Sequence, residues 1–376
     1  METLTLVLFI IGFVLLISGA ELLVRGASVL AVAVGISPLV VGLTVVAFGT
    51  SAPELAVTIQ SSYADQADLA VGNIVGSNIS NILLVLGLAA LFGNLLVPKQ
   101  LVKLELPLLV VISTLTWLMA RDGTISSLDG MVLVVIGVGY VIYTVQNSRK
   151  VVKAEQAAVD DDLEMERVRV RDLAQIFRQV GLIAVGLGML VLGSRWLIDG
   201  AVAVALLLGV NQLVIGLTIV AVGTSLPEIA TSIVAVIRDK RDIAVGNAVG
   251  SNIFNLLIVL GLGCVISPGG IDVSVSAQIF DIPVMMFVAF ISLPVFYTNY
   301  RIDRIEGLIF AAYYVAYTTY LFLAATGSTF LPVMSNIMLW GVLPVTLLTI
   351  AVRFWRYYFQ SRTGRAAFVQ APPSQN

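Results

Sequence analysis

Histidine is absent from this chain and cysteine occurs once, at Cys264, so the common ligands of zinc, haem and iron–sulfur centres are missing and no internal disulfide can form. Charge is scarce as well. Only 12% of the 376 residues are Asp, Glu, Lys or Arg, against 59% apolar, which is too little polar surface for a water-soluble globule. The apolar length is enough for about ten membrane spans of ~20 residues. A net charge of −2 offers nothing to a nucleic acid, and none is expected as a partner. The opening Met1-Glu2-Thr3-Leu4 lacks the basic stretch of a secretory signal, so the first apolar run is expected to stay as a helix. Without histidine or thiolate clusters, any metal chemistry falls to hard oxygen ligands, which suit Ca²⁺, Mg²⁺ and Na⁺. No bound cofactor is expected.

What the chain does have is a duplication. Residues 35–88 and 209–262 align without a gap at a constant offset of 174, with more than half of the positions identical. Each copy carries one glutamate in an otherwise uncharged run: Gly-Thr-Ser-Ala-Pro-Glu ends at Glu54 and Gly-Thr-Ser-Leu-Pro-Glu at Glu228. Each is followed by a second motif, ending at Asn81 in one copy and Asn255 in the other. An unpaired charge at bilayer depth costs about 2.5–3.5 kcal/mol even on the lenient insertion scale, so it is normally kept for an ion or substrate.

Eleven apolar windows follow along the chain, at about 4–24, 28–61, 68–94, 104–120, 128–146, 179–198, 201–237, 243–266, 279–298, 305–325 and 331–352. With the N-terminus outside, 19 Lys and Arg fall inside, and only Arg121 and Arg195 outside. The C-terminus is then cytoplasmic. Equivalent points in the two copies are five helices apart, an odd number, so the repeats are inverted. The expected fold is an all-α polytopic membrane protein. It has a five-helix repeat at 1–146, a charged cytoplasmic linker at 147–179, an inverted five-helix repeat at 180–326, an eleventh helix at 327–354 and a basic tail at 355–376. The linker balances its acids and bases and lacks the spaced ligands and central glycine of an EF-hand, so it reads as a solvated connector, helical from about Leu163. The tail from Ser361, with Pro372-Pro373, has the composition of a disordered segment.

The second and seventh windows exceed one straight span, and each contains a proline that can break it. Pro53 has no N–H and clashes with the carbonyl of Gly49, opening the turn through Thr50; Pro227 does the same to Gly223 and Thr224. Carbonyls freed in this way persist at membrane depth only if buried in protein or lining a cavity, where transporters use them for ions. Spacing of four places Thr50 with Glu54, Ala47 with Ser51, and Ser77 with Asn81 on shared helix faces. The second copy gives Thr224 with Glu228, Ala221 with Ser225, and Ser251 with Asn255. If the copies meet about an in-plane twofold axis, these oxygens converge on the midplane as a cage with two negative charges. Such a cage suits one Ca²⁺, or several Na⁺ sharing the oxygens. Taken singly, intramembrane Ser, Thr and Asn more often bond neighbouring helices. The duplication, and the lack of Lys or Arg in either broken helix, argue against that for the glutamates. Gly72, Gly76, Gly246 and Gly250 are assigned to helix packing, and Glu21 with Arg25, and Arg195 with Asp199, to local ion pairs.

The paired Gly-Thr-Ser-x-Pro-Glu and Gly-Asn-x-Val-Gly-Ser-Asn-Ile-x-Asn motifs resemble the two alpha repeats of the cation/Ca²⁺ exchanger superfamily, in particular its prokaryotic sodium/calcium exchanger-like antiporters. The resemblance covers roughly residues 5–325. It implies ten core helices working by alternating access, with the first helix of each repeat sliding against a fixed cluster. By motif position it implies Glu54 and Glu228 as the main Ca²⁺ and Na⁺ ligands with the backbone oxygens of Thr50 and Thr224. Ala47, Ser51, Ser77, Ala221, Ser225 and Ser251 would complete flanking Na⁺ sites, with Asn81 at the centre. Several relatives carry Asp where this chain has Asn255, so their dependence on that acid is not expected here.

The function expected is therefore Na⁺/Ca²⁺ antiport across a bacterial cytoplasmic membrane, with both ions and the bilayer as partners and a monomer as the working unit. H⁺/Ca²⁺ or Na⁺/Mg²⁺ exchange, or a cation channel, would use the same oxygens. An intramembrane enzyme would need paired membrane aspartates or a His-Glu-x-x-His helix, and neither is present.

Overall fold

The computed structural model describes residues 3–64, 66–159, 173–209, 219, 221–298 and 300–362. Its helices are α1 (Thr3–Val34), α2 (Pro38–Thr50 and Ala52–Tyr63), α3 (Ala67–Phe92), α4 (Leu101–Asp122) and α5 (Ser127–Val159), followed by α6 (Leu173–Leu207), α7 (Leu226–Ile237), α8 (Arg241–Ile266), α9 (Ala277–Tyr297), α10 (Arg304–Ala325) and α11 (Leu331–Trp355). Nine of these are long and apolar enough to cross a bilayer, and the two halves of α2, bent by 43°, make a tenth span. The shorter α7 occupies the place of the second broken window, whose residues 210–218 lie outside those described.

The first helix of each repeat departs from the sequence expectation. The windows at 4–24 and 28–61 put Arg25 in a loop, but α1 runs unbroken through it to Val34. Likewise α6 continues through Arg195 and Asp199 to Leu207. A helix of 32 residues is about 48 Å long, well beyond a ~30 Å hydrocarbon core, so it carries a charged turn without ending there. The turns that do end α1 and α6 are glycines in the left-handed region, Gly35 (φ 68) and Gly209 (φ 76), a conformation glycine adopts without a Cβ penalty. The expected local ion pairs are also absent among the described residues. Glu21 instead accepts from Arg238, beyond the end of α7, at 2.7 Å. The linker is shorter than 147–179, since α5 extends to Val159 and α6 begins at Leu173. Its expected helix from Leu163, and the tail beyond Arg362, lie outside the described residues.

Helices α1 and α6 cross on a seam of glycines. A Cβ on Gly12 would stand 2.9 Å from the Gly193 carbonyl oxygen, and one on Gly19 2.7 Å from that of Gly186. The repeat offset turns Gly12 into Gly186 and Gly19 into Gly193, so each contact is the symmetry image of the other. The pseudo-twofold axis must therefore pass midway between these glycines. In an inverted repeat it lies in the membrane plane and marks the midplane.

The core of the bundle is α3 and α8, each 78% buried over its most apolar stretch, against 33% for α1. α2 and α7 pack against this pair, α5 against α8, and α10 against α3. The symmetry extends past the matched motifs. α4 and α9 each carry as their fifth residue a carboxylate two residues before a proline, in Glu105-Leu106-Pro107 and Asp281-Ile282-Pro283. Gln100 donates to Glu105 at 2.9 Å, and the Tyr317 hydroxyl to Asp281 at 3.0 Å. Two short ribbons tie the halves together: β1 (Leu95–Leu96) pairs antiparallel with β4 (Arg301–Ile302), and β2 (Thr124–Ile125) with β3 (Ile271–Asp272). α11 is 0% buried over its most apolar stretch and is held at the side by Arg353, which donates to Glu306 at 2.8 Å, and by Phe354, whose ring packs tilted against that of Tyr297.

Candidate ion-binding site

The proline breaks act as the motif spacing predicts. Ser51 leaves helical geometry at φ −81°, ψ 5°, and Ser225 repeats this at φ −86°, ψ 3°. The backbone ladder resumes one residue after each glutamate, with the Leu55 N–H donating to the Ser51 carbonyl at 3.1 Å and that of Ile229 to Ser225 at 3.0 Å. Each glutamate thus sits in the first turn of a new helix, where the amide dipoles favour negative charge. The partner helices carry a matching irregularity. Asn81 and Asn255 each open a single π-type turn, at Asn81–Val85 and Asn255–Val259, a feature that widens a helix and recurs at functional sites.

These elements gather the expected residues. Glu54 and Glu228 are each 1% exposed. Ser77 donates to Glu54 at 3.3 Å. The Thr50 hydroxyl crosses between repeats, donating to Asn247 at 3.0 Å and lying 3.4 Å from Ser251. Thr50, Ser51, Ser77, Asn81, Ser225, Ser251 and Asn255 are all buried, as is Ala47. Thr224 is partly buried; the backbone of Ala221 is helical and its side chain lies outside the description. Among the described residues, the second carboxylate oxygen of Glu54, both of Glu228, the hydroxyls of Ser51 and Ser225, and the amide oxygens of Asn81 and Asn255 find no protein partner. Buried oxygens left unbonded cost free energy, and a set of them around two carboxylates is the donor chemistry of a hard-cation site.

Comparison with known proteins identifies the family. The sequence profile of the family described as sodium/calcium exchanger protein matches residues 4–146 and 178–323, both repeats and little else. This chain belongs to that family. Among its relatives, the exchanger resembles the putative antiporter CaxA of Alkalimonas amylolytica, 37% identical over 74% of this chain and 86% of that one. It also resembles the inner membrane protein YrbG of Escherichia coli, 40% identical over 66% of this chain and 74% of that one. Among solved structures, the sodium-calcium exchanger NCX_Mj soaked with 10 mM Na⁺ and zero Ca²⁺ aligns with a TM-score of 0.71 at 30% identity, covering 84% of this chain and 98% of that one. The family profile stops at residue 323, so α11 is an addition to the exchanger unit.

Two further side chains, not singled out by the motif spacing, bear on the candidate site. Asn73 donates to the Glu54 carbonyl at 3.1 Å and to Thr58 at 3.2 Å, bridging the broken helix to α3. Asn247 does the same in the other half, to the Glu228 carbonyl at 3.5 Å and to Ser232 at 3.2 Å. Both asparagines follow a glycine in the duplicated motif, which is the signal that could have found them. Of the packing glycines, Gly246 and Gly250 press on the backbone of α2 at Leu39 and Leu43; the equivalents of those two leucines, against which Gly72 and Gly76 would pack, lie outside the described residues.

Proposed function

We propose that this exchanger is a secondary antiporter that moves Na⁺ against Ca²⁺ by alternating access, with one cation-binding region centred on Glu54 and Glu228. One observation carries the reading: two glutamates at equivalent positions, both buried, both at a matched helix break, with unbonded oxygens of Ser51, Ser225, Asn81 and Asn255 around them. Two carboxylates neutralise one Ca²⁺, and the surrounding neutral oxygens supply a coordination number of six to eight. The same oxygens can be divided among Na⁺ ions, so occupancy by one ion excludes the other, which is the requirement for exchange. Inverted repeats supply two related conformations that open the site to opposite sides in turn. The Thr50 hydroxyl of α2 donates to Asn247 on α8, which in turn donates to the Glu228 carbonyl of α7, so one asparagine links the two broken helices at the site. The membrane we assign is the bacterial cytoplasmic membrane, with the N-terminus outside.

The test is flux. Purified protein in proteoliposomes should accumulate ⁴⁵Ca²⁺ when an outward Na⁺ gradient is imposed, and a K⁺ or pH gradient should not replace it. Glu54→Gln and Glu228→Gln keep the side-chain shape but remove half of the cage charge, leaving Ca²⁺ undercompensated in a low-dielectric site. Each should abolish exchange in a protein that still elutes as a folded species. Near-normal flux in either variant would remove the glutamates from the site.

A further inference from the structure

The two halves differ in how they hold a charge near the bilayer midplane. Glu21 on α1 and Arg195 on α6 are equivalent positions. Each lies between five and six residues from the pseudo-twofold axis fixed by the glycine seam, about 8 Å along the helix and less in depth where the helix tilts. That is inside a hydrocarbon half-thickness of about 15 Å. Glu21 is paired with Arg238, and α1 packs along α7 there. The position equivalent to Arg238 is Ala64, so Arg195 has lost the counterpart of that partner. Among the described residues Arg195 makes no ion pair and no hydrogen bond, although Asp199 follows one turn later on the same helix. α6 meets α2 where the Leu187 side chain lies against Gly49. Between them is a cavity of about 620 Å³ lined by Val45, Phe48, Gly49, Leu187, Val191 and Arg195.

An apolar cavity whose charged wall residue is a guanidinium repels cations and does not suit a path for Na⁺ or Ca²⁺. It suits an amphiphile with an anionic head. We propose that this cavity binds a membrane phospholipid, one acyl chain lying against Phe48, Leu187 and Val191 and the phosphate drawn down to Arg195. The guanidinium matches phosphate oxygens with two parallel donors, and its stem snorkels toward the headgroups of the leaflet facing the C-terminal end of α6. The cavity wall includes Gly49 and Ala52, which flank Thr50 and Ser51 at the break of α2, so the lipid would bear on the hinge of the ion site. This inference stands whichever cations are exchanged.

Native mass spectrometry of the full chain in detergent tests it, using dioleoyl phosphatidylglycerol as the probe and a phosphate-free galactosyl diacylglycerol as its control. Wild type should retain one phosphatidylglycerol more tightly than Arg195→Ala by about tenfold, the size of one lost charge-assisted contact, and Arg195→Lys, which keeps the charge but not the paired donors, should fall between the two. Val191→Trp fills the cavity without touching the charge and should displace the lipid as well. Equal retention by wild type and Arg195→Ala, unchanged binding in Val191→Trp, or equal binding of the galactolipid would overturn the proposal.

Discussion

At the scale of single residues, Asn73 and Asn247 do work that the glutamates cannot do for themselves. A carboxylate on a broken helix has freedom to swing, and each asparagine fixes the backbone carbonyl of its glutamate while bonding a hydroxyl one turn further on. Removing a group that orients a ligand typically costs 10–100-fold in metal affinity, so Asn247→Ala should weaken Ca²⁺ binding by about that range and leave folding intact. Calorimetric titration of the purified variant would show it; wild-type affinity would mean that the asparagine only packs. Asn255 offers a second prediction at this scale, since an amide there is neutral at any physiological pH. Asn255→Asp would place a third acid beside Glu54 and Glu228, where like-charge repulsion favours its holding a proton. Exchange by the variant should therefore vary between pH 6 and 8 more steeply than wild type, and wild type should run without K⁺. Identical pH profiles would place Asn255 away from the ion path. The ligand residues could be read in the sequence because duplication singles them out. Asn73 and Asn247 could not, because their partners lie 15 and 19 residues upstream and only the packing of α2 on α3, and of α7 on α8, brings them together.

At the scale of elements, the sequence disclosed the broken helices and hid the long ones. Pro53 and Pro227 lack the N–H that the carbonyl four residues back would take, so the bends at Ser51 and Ser225 follow from local chemistry. The ends of α1 and α6 do not, because a charge such as Arg25 or Arg195 ends a span only if the helix is short and upright. What holds those helices together is backbone contact at Gly12, Gly19, Gly186 and Gly193, a seam without side chains. A side chain at Gly19 would start 2.7 Å from the Gly186 carbonyl, and neither backbone can yield without separating the helices. Gly19→Leu should destabilise by about 1–3 kcal/mol or more, as overpacking does, and lower the thermal midpoint in detergent. Gly139→Leu, at a glycine with no described atom within 4 Å, serves as the control and should leave the midpoint near wild type. Equal midpoints for the two variants would mean that the seam is not tight.

At the scale of the whole molecule, orientation follows from where the basic residues fall. With Arg25 inside α1 and Arg195 inside α6, Arg121 in the last turn of α4 is the basic residue that the proposed orientation leaves at the external end of a span, and it is held over the Trp117 ring at 5.1 Å. The remainder favour a cytoplasmic linker and tail. Alkaline phosphatase fused after Gln360 should be inactive, and an active fusion would invert the assignment. The ribbons that join the halves also constrain how the protein is made. Neither β1 nor β2 has a partner in its own repeat, because Leu95 pairs with Ile302 and Ile125 with Ile271. At translation rates of about 5–20 residues per second, the first repeat enters the bilayer on the order of ten seconds or more before its pairing strands exist. During that interval the loops carrying β1 and β2 must wait with their backbone groups bonded to water. The exchanger is thus assembled in two instalments, and its first half is a folding intermediate by construction.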